Sequence, residues 1–176
     1  MNKGLLIVYT GNGKGKTTAA LGLALRAMGH DLKVCVIQFI KSNDDSGESL
    51  FSEEIKRLNK LFDFYVLGAG FTWSSDKLKN HVQAARDAWE ISKELILSEK
   101  YDLIILDELT YIIRYKMVNE DEVINFLSKK PENLHLVITG RYASELLINA
   151  ADIVTEMTEI KHPFKNGIRA QQGIDF

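Results

Sequence analysis

The stretch T-G-N-G-K-G-K-T-T at 10–18 assembles the residue types that can hold a polyphosphate. Gly11, Gly13 and Gly15 let backbone N–H groups turn toward one point, Lys16 adds a full positive charge, and the hydroxyl of Thr17 can hold Mg²⁺. A helix opening at Lys16-Thr17-Thr18 adds the partial positive charge of its N-terminus. The expected ligand is a nucleoside triphosphate. The usual pattern, G-x-x-x-x-G-K-[ST], would place its first glycine at position 10, which here is Thr10, so the loop is a variant of that form.

Further residues able to do chemistry all follow apolar runs. Asp107 and Glu108 end Y-D-L-I-I-L-D-E, where an acid faces a phosphate-bound Mg²⁺ directly or through water. Arg141 follows L-H-L-V-I-T-G and either braces triphosphate oxygens or lies as an ordinary surface arginine. Lys41 closes L-K-V-C-V-I-Q-F-I. Phe71 and Trp73 sit behind Gly68-Ala69-Gly70, where they either pack down on the core as a lid or meet a ligand. His135 has no second histidine or cysteine at a ligand spacing, so a helix layer or solvent is its expected surrounding.

The elements that must position these groups are legible in outline. Strands are expected at Leu5–Tyr9, Leu32–Ile40, Phe62–Val66, Tyr101–Glu108, Leu134–Thr139 and Ile153–Met157. Between them come a buried helix ending near Gly29, a helix from Gly47-Glu48 with Phe51, Ile55 and Leu58 on one face, and a long helix after Ser74-Ser75. Asn119 with Glu122 marks a capping box, Pro131 an ending, and Ala143–Ala150 a short helix. The tail from Lys161 on has too little pattern to place. Alternation of this kind predicts an α/β three-layer sandwich: a largely parallel sheet, helices on both faces and a site at the strand C-terminal ends.

The chain of 176 residues suits one domain, 1–176, with 45% hydrophobic and 26% charged residues. Lys and Arg total 22 against 24 for Asp and Glu, a formal net charge of −2, and no long basic block argues for nucleic acid as a partner. The lone Cys35 lies inside an apolar run and suits a reducing cytoplasm. Met1 to Gly4 lead straight into the first strand, and no long apolar run suggests a membrane span, so a cytosolic location is expected.

The chain resembles the ATP:corrinoid adenosyltransferases of the phosphate-loop type. The resemblance rests on T-G-N-G-K-G-K-T-T, Q-F-I-K at 38–41, G-F-T-W at 70–73, L-D-E-L-T-Y at 106–111, T-G-R at 139–141, and K-H-P-F followed by G-I-R-A-Q-Q-G-I-D-F at the end. It implies a phosphate-loop NTPase fold of the RecA-like kind and transfer of the 5′-deoxyadenosyl group of ATP to the cobalt of a Co(I) corrinoid, with release of triphosphate. On that resemblance Gly11, Asn12, Gly13, Lys14, Gly15, Lys16, Thr17, Thr18 and Lys41 bind the nucleotide. Lys16 and Arg141 stabilise the leaving triphosphate, and Thr17 and Glu108, then Asp107, contact Mg²⁺. Phe71 and Trp73 match the aromatics that exclude the lower axial ligand of Co(II). A homodimer and an electron-donating reductase or flavodoxin-like protein are the partners implied. Ser42 stands where the family usually has glycine, and only Met1 to Gly4 precede the first strand.

Overall fold

A computed structural model of the chain describes residues 3–40, 47–48, 60–68 and 75–174, the side chains of 75–79 excepted. The described elements run β1 (Leu6–Thr10), α1 (Lys16–Met28), β2 (Val34–Gln38), β3 (Phe62–Val66), α2 (Ser75–Leu97), β4 (Leu103–Asp107), α3 (Leu109–Arg114), α4 (Glu120–Leu127), β5 (His135–Thr139), α5 (Glu145–Ala150) and β6 (Ile153–Glu156). The six described strands form one sheet in the order β3-β2-β4-β5-β1-β6, and every pairing is parallel. The sheet is therefore parallel throughout the described residues, where the alternation of elements predicted a largely parallel one.

The continuous apolar runs of β2 and β4 arise because both faces of these central strands are covered. On one face Val34, Val36, Leu103 and Ile105 pack against Ala20, Ala24 and Ala27 of α1. Those small alanines let the helix lie close to the sheet. On the other face Cys35, Ile37, Ile104 and Leu106 meet α2 to α5 through residues such as Trp89, Ile112, Val123 and Leu147. Cys35 is a buried thiol within this packing. β6, at the sheet edge, is exposed along its length.

The helix ends follow their sequence signals. Asn119 accepts the Glu122 N–H at 3.1 Å and starts α4, which stops at Leu127, ahead of Pro131. Ser144 caps α5 by accepting the Leu147 N–H at 3.1 Å. Arg26 lies in the last turn of α1, where a cation complements the helix dipole. Two features escaped the sequence reading. The short helix α3 follows Glu108 directly, and the tail forms a 3₁₀ turn at Pro163–Asn166 whose N–H at Phe164 is accepted by His162 Nδ1. The helix expected around Phe51, Ile55 and Leu58 lies outside the described residues. Among the described residues, no helix is long and apolar enough to cross a membrane.

Candidate active site

β1 delivers the chain to the phosphate loop, and the segment after β6 holds that loop in shape. Met157 N donates to Thr10 O at 2.8 Å, and Gly13 N donates to Met157 O at 2.7 Å. A Cβ at Gly13 would sit 2.8 Å from Met157 O, and one at Gly11 would collide with the same backbone. Gly11 also has φ 96° and Gly15, which precedes α1, has φ 104°. The glycine pattern that departs from the usual motif thus has a local cause: two strands of backbone meet where a side chain has no room.

Lys16, the first residue of α1, turns back over the loop and donates through Nζ to Gly11 O at 2.8 Å and Gly13 O at 2.7 Å. Burial holds its pKa below the ordinary lysine value. The Arg141 guanidinium pushes it the same way, while Glu108 and Asp107 oppose. A lysine surrounded in this way gains most when phosphate oxygens replace the carbonyls, because the anion compensates both the desolvation and the neighbouring cation.

Asp107, the last residue of β4, is fully buried and accepts three hydrogen bonds. Thr17 Oγ1 donates to Oδ1 at 2.9 Å, Thr139 Oγ1 to the same oxygen at 2.6 Å, and Gln38 Nε2 to Oδ2 at 3.0 Å. The ends of β2, β4 and β5 and the start of α1 are thereby tied to one carboxylate. Glu108 takes φ 64°, a left-handed conformation that costs a non-glycine residue about 1 kcal/mol or more. Its N–H is held by Thr139 Oγ1 at 2.9 Å, and the residue lines the cleft.

That cleft, of about 540 Å³, is lined by Gly13 to Thr18, Glu108 and Arg141. Tyr111 also borders it, its pKa raised by burial first and by Glu108 second. Arg141 is exposed at this edge, and its backbone carbonyl accepts Thr110 Oγ1 at 2.8 Å. Gly140, at φ 136°, allows that approach, since a Cβ there would collide with Thr110.

The predicted site residues are therefore distributed unevenly. Gly13, Lys14, Gly15, Lys16, Thr17, Thr18, Glu108 and Arg141 share the cleft. Asn12 borders an adjoining hollow with Arg141, Gly11 is buried, and Asp107 lies behind the wall rather than in it. Lys41, Phe71 and Trp73 lie outside the described residues. His135, expected to face a helix layer or solvent, is partly exposed and accepts the Leu5 N–H through Nδ1 at 3.2 Å, at the opposite end of the sheet. Sequence reasoning missed Gln38, Thr110 and Thr139, although each stands inside a quoted motif. It also missed Gly47 and Glu48, and Gly173 and Ile174 of the quoted tail motif, which line the cleft without side chains that signal chemistry there. A larger groove of about 1180 Å³, lined by α2, α3, α4 and α5, contains none of the predicted site residues.

The donor set suits a hard cation held with phosphate. Among the described residues no three His, Cys, Asp or Glu side chains cluster as a self-sufficient metal site. Thr17 and Glu108 at the cleft, with Asp107 behind Thr17, offer oxygen only, which fits Mg²⁺ completed by phosphate and water. Gln38 Oε1 adds a buried acceptor with no hydrogen-bond partner among the described residues, beside Asp107.

The chain matches the family model for ATP:corrinoid adenosyltransferase BtuR/CobO/CobP over residues 2–176. A corrinoid adenosyltransferase from a Sinorhizobium species is 46% identical to it over 175 residues, covering 99% of this chain and 81% of that relative. One from Escherichia coli strain K12 is 40% identical over 174 residues, covering 99% and 86%. Among solved structures, the flagellar accessory protein FlaH from Methanocaldococcus jannaschii has a TM-score of 0.58 at 16% identity, covering 89% of this chain and 72% of that one. This likeness concerns the fold alone and agrees with the α/β arrangement of a parallel sheet between helices expected from the sequence.

Proposed function

The chain belongs to the BtuR/CobO/CobP family of ATP:corrinoid adenosyltransferases, and from that premise we propose which of its residues carry the transfer of an adenosyl group from ATP to a corrinoid. The observation that carries the assignment is the Thr17–Asp107 hydrogen bond, which locks the start of α1 to the end of β4 in the wall of the cleft holding Lys16, Glu108 and Arg141. ATP lies with its phosphates along Gly13 to Thr18. A Co(I) corrinoid attacks the 5′ carbon of the ribose, a cobalt–carbon bond forms, and the C5′–O bond breaks with its electron pair leaving on the triphosphate.

No proton has to be removed from the nucleophile, so the demand on the protein is electrostatic. Lys16 leaves the Gly11 and Gly13 carbonyls for the phosphates, and the N–H groups at the start of α1 and Arg141 share the developing charge. Thr17 through its oxygen and Glu108 through its carboxylate would hold Mg²⁺, and Asp107 orients Thr17. When bound, that cation supplies further neutralisation of the leaving phosphates. Asn12, Gly11 and Lys14 shape the loop, and Lys41 completes the nucleotide contacts. Phe71 and Trp73 take the role of displacing the lower axial ligand of Co(II), which makes the metal easier to reduce.

The reading extends to a single nucleotide- and corrinoid-binding domain, a homodimer, a cytoplasmic location that suits the buried thiol of Cys35, and a reductase or flavodoxin-like electron donor. The test is to supply ATP, Mg²⁺ and a corrinoid under strong reductant and identify both products. Tripolyphosphate together with a light-sensitive cobalt–carbon species is expected. ADP and phosphate, or unchanged ATP, would overturn the reading.

A further inference from the structure

Thr139 lies where the β4–β5 ladder stops. The last paired residues there are Leu106 and Ile138, so on the β5 side Asp107 and Glu108 extend past the ladder, while on the β2 side Asp107 is still in register with Gln38. Beyond that point the Thr139 hydroxyl takes over. It donates its one hydrogen to Asp107 Oδ1 at 2.6 Å and accepts the Glu108 N–H at 2.9 Å. The side chain is fully buried, so it offers no surface to a ligand.

We propose that Thr139 is a positioning residue that aims two acids at once: Asp107 inward at Thr17 and Glu108 outward into the cleft. The hydrogen count supports this division. Asp107 accepts from Thr17 and Thr139 on one oxygen and from Gln38 on the other, and a carboxylate has no hydrogen of its own to give. Gln38 must present its NH₂ to that carboxylate, which fixes the orientation of its amide. With the Thr17 hydrogen committed to Asp107, the lone pairs of Thr17 are left for a cation. Glu108 needs the second half of the clamp because its left-handed backbone is intrinsically unfavourable, and the bond to its N–H offsets part of that cost. Neither acid is reached by Thr139 as a charge; the hydroxyl acts only through where it holds them.

This inference rests on the reading of the cleft as a site for ATP and a divalent cation. Its test uses Mn²⁺ as the probe ion, with binding to the ATP-loaded full-length protein followed by the electron-spin resonance signal of free Mn²⁺. Thr139→Val keeps the shape of the side chain and removes both hydrogen bonds. It should weaken Mn²⁺ binding about tenfold or more, the range seen when an outer partner of a metal ligand is lost. ATP binding in the presence of EDTA should stay within about twofold, and Thr139→Ser, which keeps the hydroxyl, should restore Mn²⁺ affinity. Thermal melting checks the fold, and Thr139→Ala replaces the valine variant should that one not fold. Unchanged Mn²⁺ affinity without the hydroxyl, failure of serine to rescue, or an equal loss of metal-free ATP binding would overturn the proposal. If the unmodified protein holds no Mn²⁺ with ATP, the reading of the cleft fails first and this one falls with it.

Discussion

Two lysines at opposite ends of the sheet do nearly the same thing locally. Lys16 donates to the carbonyls of Gly11 and Gly13, and Lys130 donates to those of Gly4 and Leu134, each at 2.8 Å, with Pro131 O at 3.4 Å. Burial lowers the pKa of both. Their surroundings separate them. The next influence on Lys130 is Asp152, which stabilises its charge, whereas the next on Lys16 is Arg141, which opposes it. At the amino end, polar side chains close backbone groups: Asp152 accepts the Leu6 N–H at 2.8 Å and Asp102 the Lys33 N–H at 2.8 Å. At the carboxyl end they are bound to one another around Asp107 and border an open cleft. A lysine whose strongest charged neighbour is a cation, facing open space, is poised for an anion; a lysine whose strongest charged neighbour is an acid has less to gain from one.

That contrast can be broken most severely at Lys16. Lys16→Ala should lower ATP-dependent turnover by about a hundredfold or more, with a smaller change in the melting temperature of the free protein, because the burial that disfavours its charge offsets part of the two hydrogen bonds it loses. Near-normal turnover would make the two lysines equivalent. Lys130→Met should do the reverse: a loss of about 1 to 2 kcal/mol in denaturant unfolding, with turnover unaltered, since it strips a charged donor from the Gly4 and Leu134 carbonyls.

The pH dependence sharpens the difference. Because the Lys16 pKa is lowered, ATP affinity should begin to fall, as pH rises, before the ordinary lysine value of 10.5 is reached. Arg141→Ala, by removing the opposing cation, should move that fall to higher pH, measurable by calorimetric titration. The corresponding stability effect has the opposite sense. Holding Lys16 charged in the fold is a cost below its folded pKa, and that cost vanishes as pH rises toward the unfolded value. The smallest effect belongs to Asp152. Its pKa is lowered by the Leu6 N–H first and by Lys3 second, so it stabilises the fold above its ordinary value of 3.8 and ceases to as pH falls through the lower folded value. The melting temperature of Asp152→Asn should therefore lie below that of the unmodified protein near neutrality and converge with it in acid. A constant difference across that range would remove Asp152 from the amino-end pattern.

The cleft was legible to the extent that its members carry chemistry in their own side chains and follow apolar runs. Lys16, Thr17, Glu108 and Arg141 were recognisable in this way. Thr139, Thr110 and Gln38 were not, because a threonine or glutamine at a strand end looks the same whether it meets water or a neighbour's carboxylate. Met157 left no signal at all: it acts through its backbone, and its only trace is the glycine at 11 and 13 of a segment more than a hundred residues away. The three parts expected to complete the site, Lys41, Phe71 and Trp73, lie outside the described residues.

By itself the sequence determined the six strands and the longer described helices between them, and that strand ends gather at one edge, because periodicity and turn chemistry act between residues close along the chain. It also determined the family, through motifs spread from the phosphate loop to the tail. Only the tertiary structure decided that β4 stands between β2 and β5, and that β6 flanks β1. Strand order is set by how crossovers and packed layers fit together, not by local spacing. Asp107 meets Gln38 and Thr139, and Gly13 meets Met157, because those strands are neighbours in space.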